Sequence, residues 1–280
     1  MRRLLFIWGL LVTLCVNAQT DSTRVVALLQ KGAKQPTGIC LPLFYAEQLK
    51  GTPYVASTLE INQTEQLVVN LRQLDCTTLI ETCVALGMTT HQHSTKYEDY
   101  CQNLAKIRYR MGKRQGYASR NHYFTQWIKS NEQLGIVKEI TSDKPPFIAT
   151  QHVDLHFMSQ HPHLYPMMKN DSIAQKQIRQ YEKEASGVTV RYIPRDQLNG
   201  RKKGALCIIH DGDILAIVTK KNGLDTSHLG FAKWGKDGKL HLLNASQIHK
   251  KVVLEPMPLY QYMSKHPSQL GIRVIRVTNN

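Results

Sequence analysis

Ser227-His228-Leu229-Gly230-Phe231-Ala232-Lys233-Trp234, then Gly235-Lys236-Asp237-Gly238, then Leu240-His241-Leu242-Leu243-Asn244-Ala245-Ser246: two β-type runs around a glycine-bracketed turn read as an antiparallel hairpin. Upstream the same texture continues. Ile214 to Thr219 is a short apolar run after the turn Asp211-Gly212-Asp213, Ala205 to Ile209 reads as a buried strand, and Val188 to Ile193 alternates as a strand should. Before about residue 188 the patterns are mostly helical. Thr23 to Lys34, a turn at Phe44-Tyr45-Ala46, Thr77 to Leu86, Tyr97 to Met111 and His122 to Leu134 carry helical spacing, and polar Ser172 to Ser186 reads as a surface helix. Helices first and sequential strands after them predict an α+β domain with an antiparallel sheet.

The join between the two textures carries a thiol. Cys76 stands where an extended stretch, Leu67 to Leu71, gives way to the helix of Thr77 to Leu86. Unpaired N–H groups and the positive end of the macrodipole at a helix start favour thiolate over thiol, which makes Cys76 a candidate nucleophile. A base for it is sought among twelve histidines. His91 with His93, and His161 with His163, sit in loop-like sequence without a third ligand at a metal-site spacing, so no metal is expected. His228 opens a strand just after a polar loop, and Asn244 lies toward the end of the partner strand. Antiparallel pairing brings cross-strand neighbours to about 5 Å, so the amide can hold the imidazole tautomer while the other ring nitrogen faces the thiol.

Composition bounds the rest. Lys+Arg 36 against Asp+Glu 21 gives a strongly basic chain. Arg2 and Arg3 ahead of the apolar run Leu4 to Val16, with a small residue at Ala18, read as an export signal over residues 1–18. Export, to a periplasm or beyond, argues against nucleic acid as the partner of that charge and for an anionic wall component or an acidic small substrate. No later segment is long and apolar enough to be an integral membrane span. The mature chain, 19–280, keeps Cys40, Cys76, Cys83, Cys101 and Cys207. An odd count in an oxidising compartment leaves at least one thiol free, and the other four allow three pairings. Cys83 reads as a small buried hydrophobe.

Five short motifs then fall in one order: Gly51-Thr52-Pro53-Tyr54-Val55, Asp75-Cys76-Thr77-Thr78, Gly212-Asp213-Ile214-Leu215, Ser227-His228-Leu229-Gly230 and Leu243-Asn244-Ala245-Ser246. This order resembles the NlpC-type cell-wall cysteine peptidases, and the Asp-Cys-Thr-Thr variant resembles their N-acetylmuramoyl-L-alanine amidase-like branch. The resemblance implies a papain-like core in one catalytic domain, with Cys76 as nucleophile, His228 as general base and Asn244 as the third residue. It implies that Tyr54 reaches the active site, where its hydroxyl helps hold the substrate carbonyl or oxyanion. The 152 residues from Cys76 to His228 (228 − 76) exceed the spacing of compact relatives, which implies a mostly helical insertion over about 100–200 that shapes the cleft. Within it, Arg120-Asn121-His122-Tyr123 and Trp127 resemble a segment of the amidase-like branch. Arg120, for an anionic group, stands with Tyr123 and Ser227 as a candidate substrate contact, and Trp127 as core. The implied partners are peptidoglycan fragments, soluble or anhydro-muropeptides, cut between the lactyl group of N-acetylmuramic acid and L-alanine without a cofactor. An endopeptidase cutting within the stem peptide and a non-catalytic wall-binding protein are the alternatives. The sequence carries no signal of oligomeric state.

Overall fold

The computed structural model describes residues 21–278; the expected signal segment and Cys15 lie outside them. Helix α1 spans 21–32, followed by α2 (Leu41–Gln48), α3 (Cys76–His91) and α4 (Tyr97–Arg108). The start of α3 is set locally. The Asp75 carboxylate accepts from the Thr78 N–H and the Thr78 hydroxyl accepts from the Asp75 N–H, both at 2.8 Å, a reciprocal capping box. Glu98 and Asp99 in the first turn of α4, and Lys106 and Arg108 in its last, each complement the helix dipole.

The strands are β1 (Val137–Ile140), β2 (Ala149–His152), β3 (Thr189–Pro194), β4 (Ile214–Thr219), β5 (Thr226–Trp234), β6 (Leu240–Ser246), β7 (Lys251–Leu254) and β8 (Gln269–Val277). They form one antiparallel sheet in the order β2-β3-β8-β4-β5-β6-β7, with β1 also paired to β8. The predicted hairpin is β5–β6, with Trp234 opposite Leu240. Alternation along the central strands covers both faces. Ile214, Ala216, Leu229, Phe231, Leu243 and Ala245 point into a core with α1–α4 and with α5 (Phe124–Gln133). Leu215, Ile217, Ala232 and Leu242 point the other way, against α8 (Leu259–Ser264). Helix α3 therefore lies on the sheet with its first turn at the start of β5. Among the described residues no helix is long and apolar enough to cross a membrane.

The sequence expectations are revised at four points. Ala205 to Ile209 is not a strand; Gly204–Ile208 is a 3-10 helix that starts at a positive-φ Gly204. The buried residues of the stretch Ala205 to Ile209 are Leu206 and Ile209, three apart, and a short apolar run does not by itself distinguish that spacing from a strand. The insertion is less helical than expected. Besides α5, α6 (Phe157–Gln160) and α7 (Ser172–Ala185), it supplies β1, β2 and β3 to the same sheet. Helix α7 does bury a face: Ala174, Ile178, Tyr181 and Ala185 close a small separate core with Tyr123, Leu155 and Met168. Finally, Cys76, Cys83, Cys101 and Cys207 are free thiols rather than members of two bridges, and Cys83 is a fully buried core residue.

Candidate active site

Cys76 is the first residue of α3, and its sulfur takes hydrogen bonds from the backbone of Leu229 and from Thr77. Leu229 follows His228 directly, so the thiol sits against the strand segment that carries the imidazole. Both side chains line one cavity of about 230 Å³. The geometry of that strand depends on a bulge. Ile217 pairs with His228 but Val218 pairs with Thr226, which leaves Ser227 as the extra residue on β5. Successive residues of a regular strand face opposite sides; the bulge lets Ser227 and His228 both reach the cavity.

His228 Nε2 lies 2.9 Å from Asn244 Oδ1, and Asn244 is fully buried. The amide Nδ2 donates to the Leu242 carbonyl at 3.2 Å, so Oδ1 is the atom turned to the ring. That makes Nε2 the protonated nitrogen and leaves the Nδ1 lone pair as the available base. The pairing is diagonal rather than directly cross-strand. Phe231 faces Leu243, and one further step sets Asn244 across from Gly230. The missing side chain matters there: a Cβ on Gly230 would stand 2.7 Å from Leu242 Cδ1 and 2.8 Å from the Leu243 carbonyl oxygen.

The electrostatics reverse one expectation. Burial, then the nearby Asp75 carboxylate, push the Cys76 thiol up to about 12, against the pull of the Leu229 and Thr77 hydrogen bonds. Burial lowers the His228 imidazole below its usual 6.5, although Asn244 opposes this. Desolvation outweighs the helix dipole, so the resting pair is a neutral thiol beside a neutral imidazole rather than an ion pair. A thiol raised in this way stays protonated at neutral pH. The rate of Cys76 alkylation by iodoacetamide, read at that residue by peptide-mapping mass spectrometry of the free protein, is therefore expected to climb continuously from pH 6 through pH 9, roughly tenfold per unit. A rate flat across that range would mark a preformed thiolate and contradict the neutral pair.

Tyr54 is brought close by a short parallel bridge between Tyr54 and Leu74, two residues before Cys76. Burial and the Cys76 and Asp75 groups raise its hydroxyl to about 12, so it remains a protonated donor. The other predicted contacts divide. Ser227 faces the cavity. Tyr123 also lines it, but its hydroxyl donates to Glu182 at 2.6 Å and accepts from the Met158 N–H. Arg120 is no free cation: its guanidinium is ion-paired with Glu60 at 2.8 Å and Glu65 at 3.1 Å and lies over the Tyr117 ring. Trp127 is core, stacked on Phe124. Glu60, Tyr117 and Asn121 line the cavity without having been singled out. Asn121 belongs to the Arg120-Asn121-His122-Tyr123 segment, whereas Glu60 carries no local signal. Among the described residues no three His, Cys, Asp or Glu side chains are grouped to hold a metal ion.

The family model described as N-acetylmuramoyl-L-alanine amidase-like matches residues 45–272. Among solved structures, the chain is similar to an N-acetylmuramoyl-L-alanine amidase from Bacteroides uniformis at 37% identity and a TM-score of 0.79, over 89% of this chain and 99% of that one. It is also similar to a Bacteroides fragilis protein described as a candidate xylanase, at 40% identity and a TM-score of 0.78, over 84% and 100%. A Legionella pneumophila protein shares the fold at 23% identity and a TM-score of 0.68, over 94% and 96%. No curated protein sequence matches the chain.

Proposed function

The chain belongs to the N-acetylmuramoyl-L-alanine amidase-like family, and from that membership we propose that it is a cysteine-dependent peptidoglycan amidase. In this reading it has an NlpC-type, papain-like catalytic core. It hydrolyses the amide between the lactyl group of N-acetylmuramic acid and L-alanine on soluble or anhydro-muropeptides. The basic, apolar start of the chain (Arg2, Arg3, Leu4 to Val16) supports export to the periplasm or beyond, where such substrates occur. The observation that carries the reading is the His228–Asn244 pair at 2.9 Å, on the strand whose next residue is hydrogen-bonded to the Cys76 sulfur.

The mechanism follows from a neutral pair. As Sγ of Cys76 bonds to the amide carbonyl carbon, its proton passes to Nδ1 of His228, so thiolate forms only where the substrate has arrived. The tetrahedral oxyanion is held by the Cys76 backbone N–H, unpaired because it opens a helix, and by the Tyr54 hydroxyl. Imidazolium His228 then protonates the leaving amine as the carbon–nitrogen bond breaks. Water, deprotonated by the same nitrogen, attacks the thioester, releasing the muramic acid carboxylate and restoring the thiol. Asn244 keeps Nε2–H in place throughout. Glycosidase chemistry, raised by the second relative, draws no support from the same cavity. That chemistry uses two opposed carboxyl groups; of the two lining this cavity, Glu60 is ion-paired with Arg120, and both oxygens of Asp225 accept backbone N–H groups, from Thr125 and Thr226.

Digestion of purified muropeptides, followed by chromatography and mass spectrometry, tests the assignment. Intact stem peptide with a free L-alanine amine, together with a peptide-free sugar, is the expected product pair. Fragments cut between stem-peptide residues would replace the amidase by an endopeptidase.

A further inference from the structure

The loop from Arg110 to Ser119 and helix α7 enclose a groove of about 840 Å³ that shares no lining residue with the cavity at Cys76. Five cations line it: Arg110 and Lys113 from the loop, and Lys176, Arg179 and Lys183 from the helix. Among the described residues no Asp or Glu lines it. The spacing along α7 explains the arrangement. Ala174, Ile178, Tyr181 and Ala185 turn to the small core, and Lys176, Arg179 and Lys183, three and four apart, form an exposed stripe beside them. Like charges at that spacing destabilise a helix, and a concave wall of one sign concentrates its field on the space it encloses. Only Arg110 is compensated: it meets Glu184 at 3.0 Å and lies 5.0 Å from the Tyr181 ring centre. Lys113, Lys176, Arg179 and Lys183 have no ion-pair partner among the described residues. The loop wall is preformed, because the Met111 N–H donates to Ser130 Oγ and the Gln115 N–H to Ser119 Oγ, both at 2.8 Å.

Four uncompensated cations in one groove set the charge of what fits there. A phosphate monoester carries about −1.5 to −2 near neutral pH, so two of them match the four cations, whereas each carboxylate brings a single charge. The volume lies within the roughly 300–1,000 Å³ of pockets that take a drug-sized ligand, more than a lone phosphate fills. Gln115 and Gln177 add exposed amides, which both donate and accept and so suit hydroxyl groups between the phosphates. A nucleic acid finds no stacking platform, since Tyr181, the aromatic residue of the lining, is buried beneath Arg110. A lipid surface is too flat to enter a concave groove whose exposed apolar side chain is Met111. We propose that this groove is a second, non-catalytic binding site, for a saccharide carrying two phosphate groups, which holds the protein to a phosphorylated glycan. The site does not depend on the amidase reading.

Isothermal titration calorimetry of the purified protein tests it, with three probes: a glucosamine disaccharide bearing one phosphate on each ring, the same disaccharide without phosphates, and inorganic phosphate. The bisphosphate is expected to bind about tenfold or more tighter than inorganic phosphate, which meets only part of the stripe, and the bare disaccharide is expected not to bind. Lys176→Gln, Arg179→Gln and Lys183→Gln are each expected to weaken the bisphosphate about three- to tenfold, and the triple variant about 100-fold. All three side chains are exposed, so the variants are expected to keep at least the wild-type melting temperature. No binding of the bisphosphate, equal binding of either other probe, or an affinity unchanged in the triple variant overturns the proposal. So does an acidic peptide, a DNA oligonucleotide or a phosphatidylglycerol vesicle that binds tighter than the bisphosphate and loses that binding in the triple variant. Binding is read without turnover, so the outcome is separate from whether the Cys76 cavity cuts muropeptides.

Discussion

Cys76→Ala is expected to lower muropeptide hydrolysis by roughly 10³–10⁶-fold in kcat while leaving the fold intact. The magnitude follows from the proposed mechanism, in which the sulfur forms the covalent intermediate and its loss leaves only binding and the oxyanion donors. The fold should tolerate the change because the start of α3 is held by the Asp75–Thr78 capping box, not by the sulfur. Release of free stem peptide by mass spectrometry, with a circular dichroism melt as control, provides the measurement. Unchanged turnover would remove the thiol mechanism altogether. A zinc-dependent amidase predicts the opposite pattern, with activity abolished by chelator and retained in Cys76→Ala.

The second large effect is on stability. Arg108 and Glu81, each 2% exposed, meet at 2.7 Å and join α4 to α3, the helix that Cys76 opens. Arg108 also donates to the Val68 carbonyl at 2.6 Å, anchoring the segment that leads to Cys76. Arg108→Leu strands the Glu81 carboxylate in the core, and an uncompensated buried charge of this kind costs about 3–5 kcal/mol. For a domain of this size that corresponds to a fall of roughly 6–20 °C in Tm. Burial raises the Glu81 carboxyl despite Arg108 beside it, a sign that pairing does not fully return the desolvation cost. The double variant Arg108→Met/Glu81→Leu is therefore expected to regain most of the loss. A double variant as unstable as Arg108→Leu alone would mean that the pair itself, not the stranded charge, holds the helices together.

Much of the frame was legible in short stretches. The hairpin of β5 and β6 follows from alternation on either side of Gly235-Lys236-Asp237-Gly238, and the start of α3 from the change between extended Leu67 to Leu71 and helical Thr77 to Leu86. Both are signals within a few residues of what they determine. Ala205 to Ile209 misled because five consecutive apolar residues do not reveal their own period. Of the three strands of the insertion, β3 was announced by the alternation of Val188 to Ile193, whereas β1 and β2 are short, half-polar and paired across long separations, as with Val137 opposite Val277, so no local pattern announced them.

The site divides along the same line. By itself the sequence determined which groups could do chemistry: a thiol at a helix start, and an imidazole and an amide on one hairpin. These follow from residue type and local secondary structure. Only the tertiary structure decided what state and company they keep. The bulge at Ser227 and the diagonal reach of His228 to Asn244 depend on registers with β4 and β6. Glu60 and Glu65 claim Arg120 from about sixty residues away. The thiol rises to about 12 because burial, which no local pattern encodes, outweighs the helix dipole that made Cys76 conspicuous. Capping and alternation act over a few residues, whereas desolvation and charge pairing are set by whatever the completed fold brings alongside.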